Sequence, residues 1–143
     1  MRLKLVKNEP KFYEFIRILR TDENNVDGFL EKVQITSEQQ IKYMEKYSDC
    51  YFICLNDETP VGFIGVIDDD IRVCTDHIMK GKGIGHFMLT ELIKIFPNSK
   101  AKILKNNVAS MKLFNKLGYK IYDSDDKIFY LNYDVQKSNK QSL

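Results

Sequence analysis

A glycine-rich turn that opens straight into an amphipathic helix constrains this chain more than any other feature. It reads Met79-Lys80-Gly81-Lys82-Gly83-Ile84-Gly85-His86-Phe87-Met88-Leu89 and follows a short apolar strand. Glycines let the backbone turn sharply and bring successive N–H groups close to a ligand. The first helical turn adds unpaired donors and a partial positive charge. The layout is that of an anion cradle, with phosphate the expected guest. Spacing separates the common cradles. A P-loop needs Gly-Lys followed by Ser or Thr, and here Gly83 follows Gly81-Lys82. A dinucleotide fingerprint needs a third glycine where His86 stands, and no early βαβ unit surrounds the segment.

The pattern that remains, Lys80-x-x-Gly83-x-Gly85, resembles the Arg/Gln-x-x-Gly-x-Gly/Ala signature of the GNAT superfamily of acyl-CoA-dependent N-acyltransferases, with Lys80 in place of the commoner Arg or Gln. An ordinary strand-to-helix loop could carry the same glycines, so a second match matters. Asn107-Val108-Ala109-Ser110-Met111-Lys112-Leu113-Phe114-Asn115-Lys116-Leu117-Gly118-Tyr119 resembles the superfamily's second cofactor segment, Asn-x-x-Ser/Ala followed by Leu-Tyr-x-Lys-x-Gly-Phe. The two segments stand in the family's order, separated by one helix and one strand.

With 143 residues, 43% hydrophobic and 29% charged, the chain can close one core but not two. A single domain is expected over 1–135, with a polar tail over 136–143. The formal net charge is +2 with both signs interspersed, which gives no basic stripe for nucleic acid. No apolar run approaches a membrane span, and Lys7-Asn8-Glu9 cuts short any signal-peptide core, so a cytoplasmic protein is expected. Three cysteines and two histidines suggest neither a disulfide framework nor a metal site.

Along the chain, residues 2–6 alternate as a first strand, and Phe12, Phe15, Ile16 and Leu19 recur at helical spacing after Pro10. The polar run 21–25 and Asp27-Gly28 predict a loop, followed by a partial helix around Phe29, Leu30 and Val33. Ser37 and Gln40 read as a capping-box pair for a helix with Ile41, Met44 and Tyr47 on one face. Residues 51–55, 61–67 and 71–74 predict an antiparallel meander. The helix 83–96, burying Ile84, Met88, Leu92 and Ile95, leads to a strand over 101–104. That right-handed crossover makes Val73 and Ile103 parallel neighbours. A helix over 107–117 stops at Gly118, and strands 119–122 and 128–133 form a closing hairpin. The fold class is α+β: a mixed sheet of six to seven strands with about four flanking helices, matching the GNAT order of elements.

The resemblance implies acetyl-CoA binding. In the family, the strands equivalent to 71–74 and 101–104 splay apart and the pantetheine arm pairs with the exposed strand groups, here those of Val73, Cys74 and Thr75. The pyrophosphate then sits on the N–H groups of Lys82, Gly83, Ile84, Gly85 and His86, beside Gly81, with Lys80 and Lys82 as point charges. Asn107 and Ser110 face the pantetheine and phosphates by analogy, with Phe114 behind them. Asn107 reads equally as a helix N-cap.

The implied reaction is direct attack of a neutral amine on the thioester, which needs a base. The strand carries no Glu, so Asp70 at its start and Asp76 and His77 past its end are the candidates. Many relatives have a Tyr where Phe114 stands, and its hydroxyl protonates the departing thiolate. Phe114 cannot donate, which leaves Tyr119, Tyr122 or water. Cys74 reads as a small buried residue rather than an acyl carrier.

For the acceptor, Arg17 and Arg20 lie three apart on a helix, with Phe29 and Tyr43 adding aromatic surface. The runs 16–23 and 35–40 are similar to GNAT enzymes that acetylate amino sugars for surface glycans. Two guanidiniums clamping a phosphate or a nucleotide diphosphate fit that reading. A polyamine or protein acceptor, or a silent acyl-CoA-binding module, are the alternatives. A small-molecule amine partner is expected for a monomer or homodimer, with no nucleic acid or membrane.

Overall fold

In the computed structural model, residues 1–22 and 34–133 are described. The expected loop from residue 23, the partial helix at Phe29 to Val33, and the tail from 136 lie outside the described residues. The elements run β1 (Leu3–Lys7), α1 (Tyr13–Thr21), α2 (Ser37–Tyr47), β2 (Tyr51–Asn56), β3 (Thr59–Ile67), β4 (Asp70–Thr75), α3 (Ile84–Ile95), β5 (Lys100–Leu104), α4 (Val108–Lys116), β6 (Tyr119–Ser124) and β7 (Ile128–Tyr133). Among the described residues, seven strands form one sheet in the order β1-β2-β3-β4-β5-β7-β6. Only β4 and β5 pair in parallel.

Strand periodicity divides the core into two layers. Ile53, Tyr51 and Phe63 point to the face covered by α1 and α2, where Phe12, Ile16, Leu19 and Met44 are buried. Cys54, Ile64 and Ile71 point to the other face, against Ile84, Met88, Leu89 and Leu92 of α3. Each fully buried aliphatic side chain contributes roughly 1.5–3 kcal/mol, so the sheet is held from both sides.

Two details depart from the sequence expectation. The capping box is Thr36 with Gln39, one residue earlier than the Ser37 and Gln40 pair: Thr36 Oγ1 accepts from Gln39 N at 3.1 Å and Gln39 Oε1 from Thr36 N at 2.9 Å. The extended backbone of Thr36 suits an N-cap, whereas Ser37 is already helical. The shift turns Gln40 inward and leaves Ile41 exposed. In α3, Leu89 is buried and Ile95 is exposed, because α3 ends at Ile95 and its last turn passes the edge of the layer. As expected, Val73 and Ile103 lie in parallel neighbouring strands, which part after one register pair, Asp70 with Lys100.

Tyr51 on β2 pairs with Gly65 on β3, and Gly65 with Arg72 on β4. The missing side chain at Gly65 makes room for the Tyr51 ring. A Cβ there would lie 2.7 Å from the Cys50 carbonyl oxygen and 2.8 Å from Tyr51 Cδ1. Backbone cannot move aside cheaply, so Gly65→Ala is expected to destabilise the protein by about 1–3 kcal/mol, read as a lowered urea midpoint with unchanged m-value.

Candidate active site

The site begins where the sheet opens. Asp68 and Asp69 both have positive φ, 52° and 64°, as the central residues of a type I′ turn. That turn aligns Ile67 with Asp70, and Lys100 N donates to the Asp69 carbonyl at 2.6 Å. Beyond this point β4 stays paired with β3 along its length, but it has no partner on the β5 side. Val73, Cys74 and Thr75 therefore lie on a sheet edge in the interior of the sheet. An extended ligand can satisfy such an edge as an added strand would.

The edge runs into the glycine turn. Asp76 caps a single 3-10 turn over His77–Met79, and Lys80 leads to Gly81 and Gly83, both left-handed with φ of 80° and 85°. Gly83 is the N-cap of α3, and the first bond inside that helix runs from Phe87 N to Gly83 O. The amides of Ile84, Gly85 and His86 consequently have no carbonyl within the helix. A Cβ on Gly81 or Gly83 would meet nothing within 4 Å, so the space above both is open. Gly85 differs: a Cβ there would lie 3.2 Å from Leu113 Cδ2, so its smallness serves the packing of α3 on α4 rather than ligand approach. Lys82 is exposed at the mouth of the turn. Left-handed glycines, free helix amides and an open β4 edge in sequence fit a phosphate-bearing ligand with an extended arm.

On the far side of the cleft, Asn107 Oδ1 accepts from Ser110 N at 3.2 Å, so Asn107 caps α4. Both residues are half-buried. Phe114 is buried edge-on against Tyr119, with ring centroids 5.1 Å apart.

The candidate acid–base residues are spread over the site. Asp70 lies at the closed end of the cleft, its Oδ2 accepting from Arg72 Nε at 3.2 Å. His77 lies at the opposite end of β4, on the order of 20 Å along the strand. Its Nδ1 is 3.3 Å from Asp22 Oδ2 and 3.6 Å from Asp76 Oδ1, without hydrogen-bond geometry to either. The Tyr119 ring is fully buried and its hydroxyl shares a 3.1 Å hydrogen bond with Ser99 Oγ. That hydroxyl is a core group closed to solvent, which removes the reason for expecting it to donate into the cleft. Burial is the main cause that pushes the Cys74 thiol up to about 12, with Lys80 opposing and Asp76 and Asp22 adding to it. Almost no Cys74 thiolate exists near neutrality, which argues against an acyl-carrying role.

The expected arginine clamp is divided. Arg17 is held by Glu14, with Nε 3.0 Å from Oε1 and Nη2 2.9 Å from Oε2, and its Nη1 donates to the Ile35 carbonyl at 3.1 Å. Its fork is occupied in pinning α1 to the chain that enters α2. Arg20 instead lies over the Tyr43 ring, 5.5 Å from the centroid, and no described carboxylate pairs with it. Arg20, Gln39, Gln40 and Tyr43, with Gln34 and Ile35, line a pocket of about 420 Å³. The Tyr43 hydroxyl is 2.7 Å from that of Tyr51, whose phenol is pushed up chiefly by burial and then by Tyr43, with Arg20 and Arg72 opposing. Two separate polar pairs thus stand here, Tyr43 with Tyr51 and Arg72 with Asp70. Phe29 lies outside the described residues.

Sequence reasoning missed Tyr51, Arg72 and Gln40. The signal for Arg72 was present: a charge at an alternating position of an apolar strand. Tyr51 looked like core, and Gln40 was hidden by the one-residue error in the cap.

The model of the acetyltransferase (GNAT) family matches residues 12–119. Acetyltransferase PseH of Campylobacter jejuni is 28% identical over 119 residues, covering 74% of this chain and 75% of that protein. Among solved structures, spermidine N-acetyltransferase from Vibrio cholerae in complex with CoA and spermine has a TM-score of 0.81 at 11% identity, covering 90% of this chain and 93% of that one. YncA from Salmonella typhimurium with its cofactor acetyl-CoA has a TM-score of 0.78 at 12% identity, covering 92% of both chains. The family match spans most of the sheet, the glycine turn and the second cofactor segment, and the chain belongs to the GNAT acetyltransferase family.

Proposed function

We propose that this acetyltransferase moves the acetyl group of acetyl-CoA directly onto the primary amine of an amino sugar, free or nucleotide-linked, in the cytoplasm. Acetyl-CoA supplies the acetyl group as an activated thioester. The observation that carries the reading is the open β4 edge running into the left-handed glycine turn. The amides from Lys82 to His86, with Lys80 and Lys82, hold the pyrophosphate. The edge groups of Val73, Cys74 and Thr75 hold the pantetheine arm, and Asn107 and Ser110 face it from α4.

With phosphates at the glycine turn and the arm running back along β4, the thioester lies toward Asp70 and away from His77. A primary alkylamine has a pKa of about 10, so most of it arrives protonated at pH 7. Asp70 takes that proton, directly or through water; the neutral nitrogen attacks the carbonyl carbon, the C–S bond breaks, and the nitrogen gives up its second proton to solvent to leave the neutral amide. A thiol pKa of about 8.5 makes the departing sulfur tolerable without a dedicated acid, so solvent returns its proton and the lack of a hydroxyl at Phe114 is not disabling.

The acceptor enters over α1 and α2, where Arg20 and Tyr43 line the pocket. One observation favours a second reading: Asp68 and Asp69 are exposed beside Asp70, and three consecutive carboxylates suit a cationic polyamine. Thiol release from acetyl-CoA with a panel of amino sugars, polyamines and peptides decides between them; release with none of them would leave only an acyl-CoA-binding module.

Gly83→Val should weaken acetyl-CoA binding at least about tenfold by calorimetry on a folded variant, because it fills the open space above the turn and strains a left-handed position. Unchanged affinity would remove the phosphate-cradle assignment. Asp70→Asn should lower kcat by about 10²–10⁴ with little change in the KM of acetyl-CoA, and a wild-type kcat would exclude Asp70 as the base. At pH 8 a thiol raised to about 12 holds roughly a thousandth of the thiolate of an ordinary one. Because thiolate nucleophilicity rises with pKa and offsets part of that factor, alkylation of Cys74 by iodoacetamide, followed by mass spectrometry, should be at least about tenfold slower in the native protein than in urea.

A further inference from the structure

Among the described residues, Arg20 is the one charged side chain that lines the pocket of about 420 Å³ beside α1 and α2. It is half-buried, and the remaining walls are glutamines, Ile35 and Tyr43. Carboxylates on the neighbouring elements are engaged elsewhere: Glu14 grips Arg17, Asp22 lies 3.3 Å from His77 Nδ1, and Asp70 accepts from Arg72. Arg20 itself rests on the Tyr43 ring, 5.5 Å from the centroid, and no described carboxylate pairs with it. That ring is fixed in turn, with the Tyr47 ring 4.8 Å away and the Tyr51 hydroxyl 2.7 Å from its own. A guanidinium stacked on an aromatic face still presents the edge of its planar fork, where the N–H donors point, and that edge matches an oxyanion. A half-buried cation without a described counter-ion, on a rigid platform in a pocket of small-ligand size, suits an anion.

The pocket also shares a sheet face with the candidate base. Side chains alternate along β4, so Asp70 and Arg72 lie on the face of Cys74 and Tyr51, which α1 and α2 cover. Gly65, between Tyr51 and Arg72 in the register, has no side chain to stand between them. Arg20 and Arg72 both oppose the upward push that burial gives the Tyr51 phenol, so one hydroxyl feels both charges. An acceptor on this face can lay its amine at Asp70 and an anionic group at Arg20, whereas a polyamine would set its own charge against the guanidinium.

We propose that Arg20 is a specificity-determining residue of the acceptor site: its guanidinium binds an oxyanion carried by the amino sugar whose amine reaches Asp70. This rests on the acetyl-transfer reading given above and narrows its acceptor to an anionic amino sugar. The oxyanion can be a phosphate monoester, the diphosphate of a nucleotide-linked sugar or a carboxylate, and the test separates these sources.

Thiol release is measured with glucosamine, glucosamine 6-phosphate, UDP-glucosamine, muramic acid and spermidine. With the wild-type enzyme, kcat/KM for at least one of the three anionic sugars should exceed that for glucosamine by at least about tenfold. Arg20→Met, which keeps the apolar stem over Tyr43, should bring that ratio to within about threefold of one. Both sugars report on the same folded fraction, so the ratio is insensitive to lost stability. If Arg20→Met does not fold, Arg20→Lys keeps the charge, loses the fork and should still lower the ratio. A ratio that survives the substitution would show that Arg20 only covers the Tyr43 ring, and the proposal falls. It falls equally if wild type prefers none of the anionic sugars, if it prefers spermidine, or if Arg20→Met raises the KM of acetyl-CoA and leaves the ratio alone. If no amine releases thiol although calorimetry shows acetyl-CoA binding, the acetyl-transfer reading fails on its own. Titration of the three anionic sugars then decides: binding that exceeds that of glucosamine and is lost in Arg20→Met upholds the anion site, and no such binding to wild type overturns it.

Discussion

The parting of β4 from β5 after a single parallel contact is the constraint on which the rest of the structure depends. A sheet normally pairs every interior strand on both sides, since unpaired N–H and C=O groups are costly once removed from water. Here pairing stops at Asp70 and Lys100, and the β5 side of β4 is left open. The fold tolerates this because β4 is secured through its full register with β3, and β5 through its own with β7. Each half of the sheet is antiparallel, and one buried cluster, with Ile64 and Ile71 from one half and Ile103 and Leu131 from the other, joins them on one face.

The opening also organises the two ends of the site. One end leads through Asp76 and the 3-10 turn into the left-handed glycines and the amides of α3. The other end is closed by the aspartate turn. Above it, Tyr51 occupies the space that Gly65 vacates and shares a hydrogen bond with Tyr43 on α2. Burial, aromatic packing and hydrogen bonding thus converge on Tyr43 and Tyr51, which core contacts hold in place.

Much of this was legible from sequence. The element order and the crossover between β4 and β5 came from periodicity and glycine placement, which are local properties, while the two cofactor segments were identified by their resemblance to the GNAT superfamily. What was not legible depends on single-residue phase or on partners far apart in the chain. Thr36 and Ser37 are equally good caps by composition, and only the backbone decides which is extended. Gln40, on the same helix, is buried against α1, where it donates to the Tyr13 carbonyl. Arg17 and Arg20 look alike by spacing, yet Glu14 and the Ile35 carbonyl take one and leave the other over Tyr43. The burial of Tyr119 beneath Ser99 and Phe114 could not be read from its place after Gly118, because it depends on β6 folding back onto α4.

An unpaired strand is usually a hazard, because another chain can dock on it and propagate. The open side of β4 escapes that hazard by its position. Strands in a sheet sit about 4.7–4.9 Å apart, so an intruding strand would need room for β5 to stand off by that distance along its whole length. The join at Asp70 and Lys100 forbids it. The gap is a wedge closed at its apex, and in the proposed reading a single thin chain enters it from the glycine end and stops at the join. The edge of this sheet therefore works as a ruler: it limits how far an inserted arm can reach before its tip meets the aspartate turn.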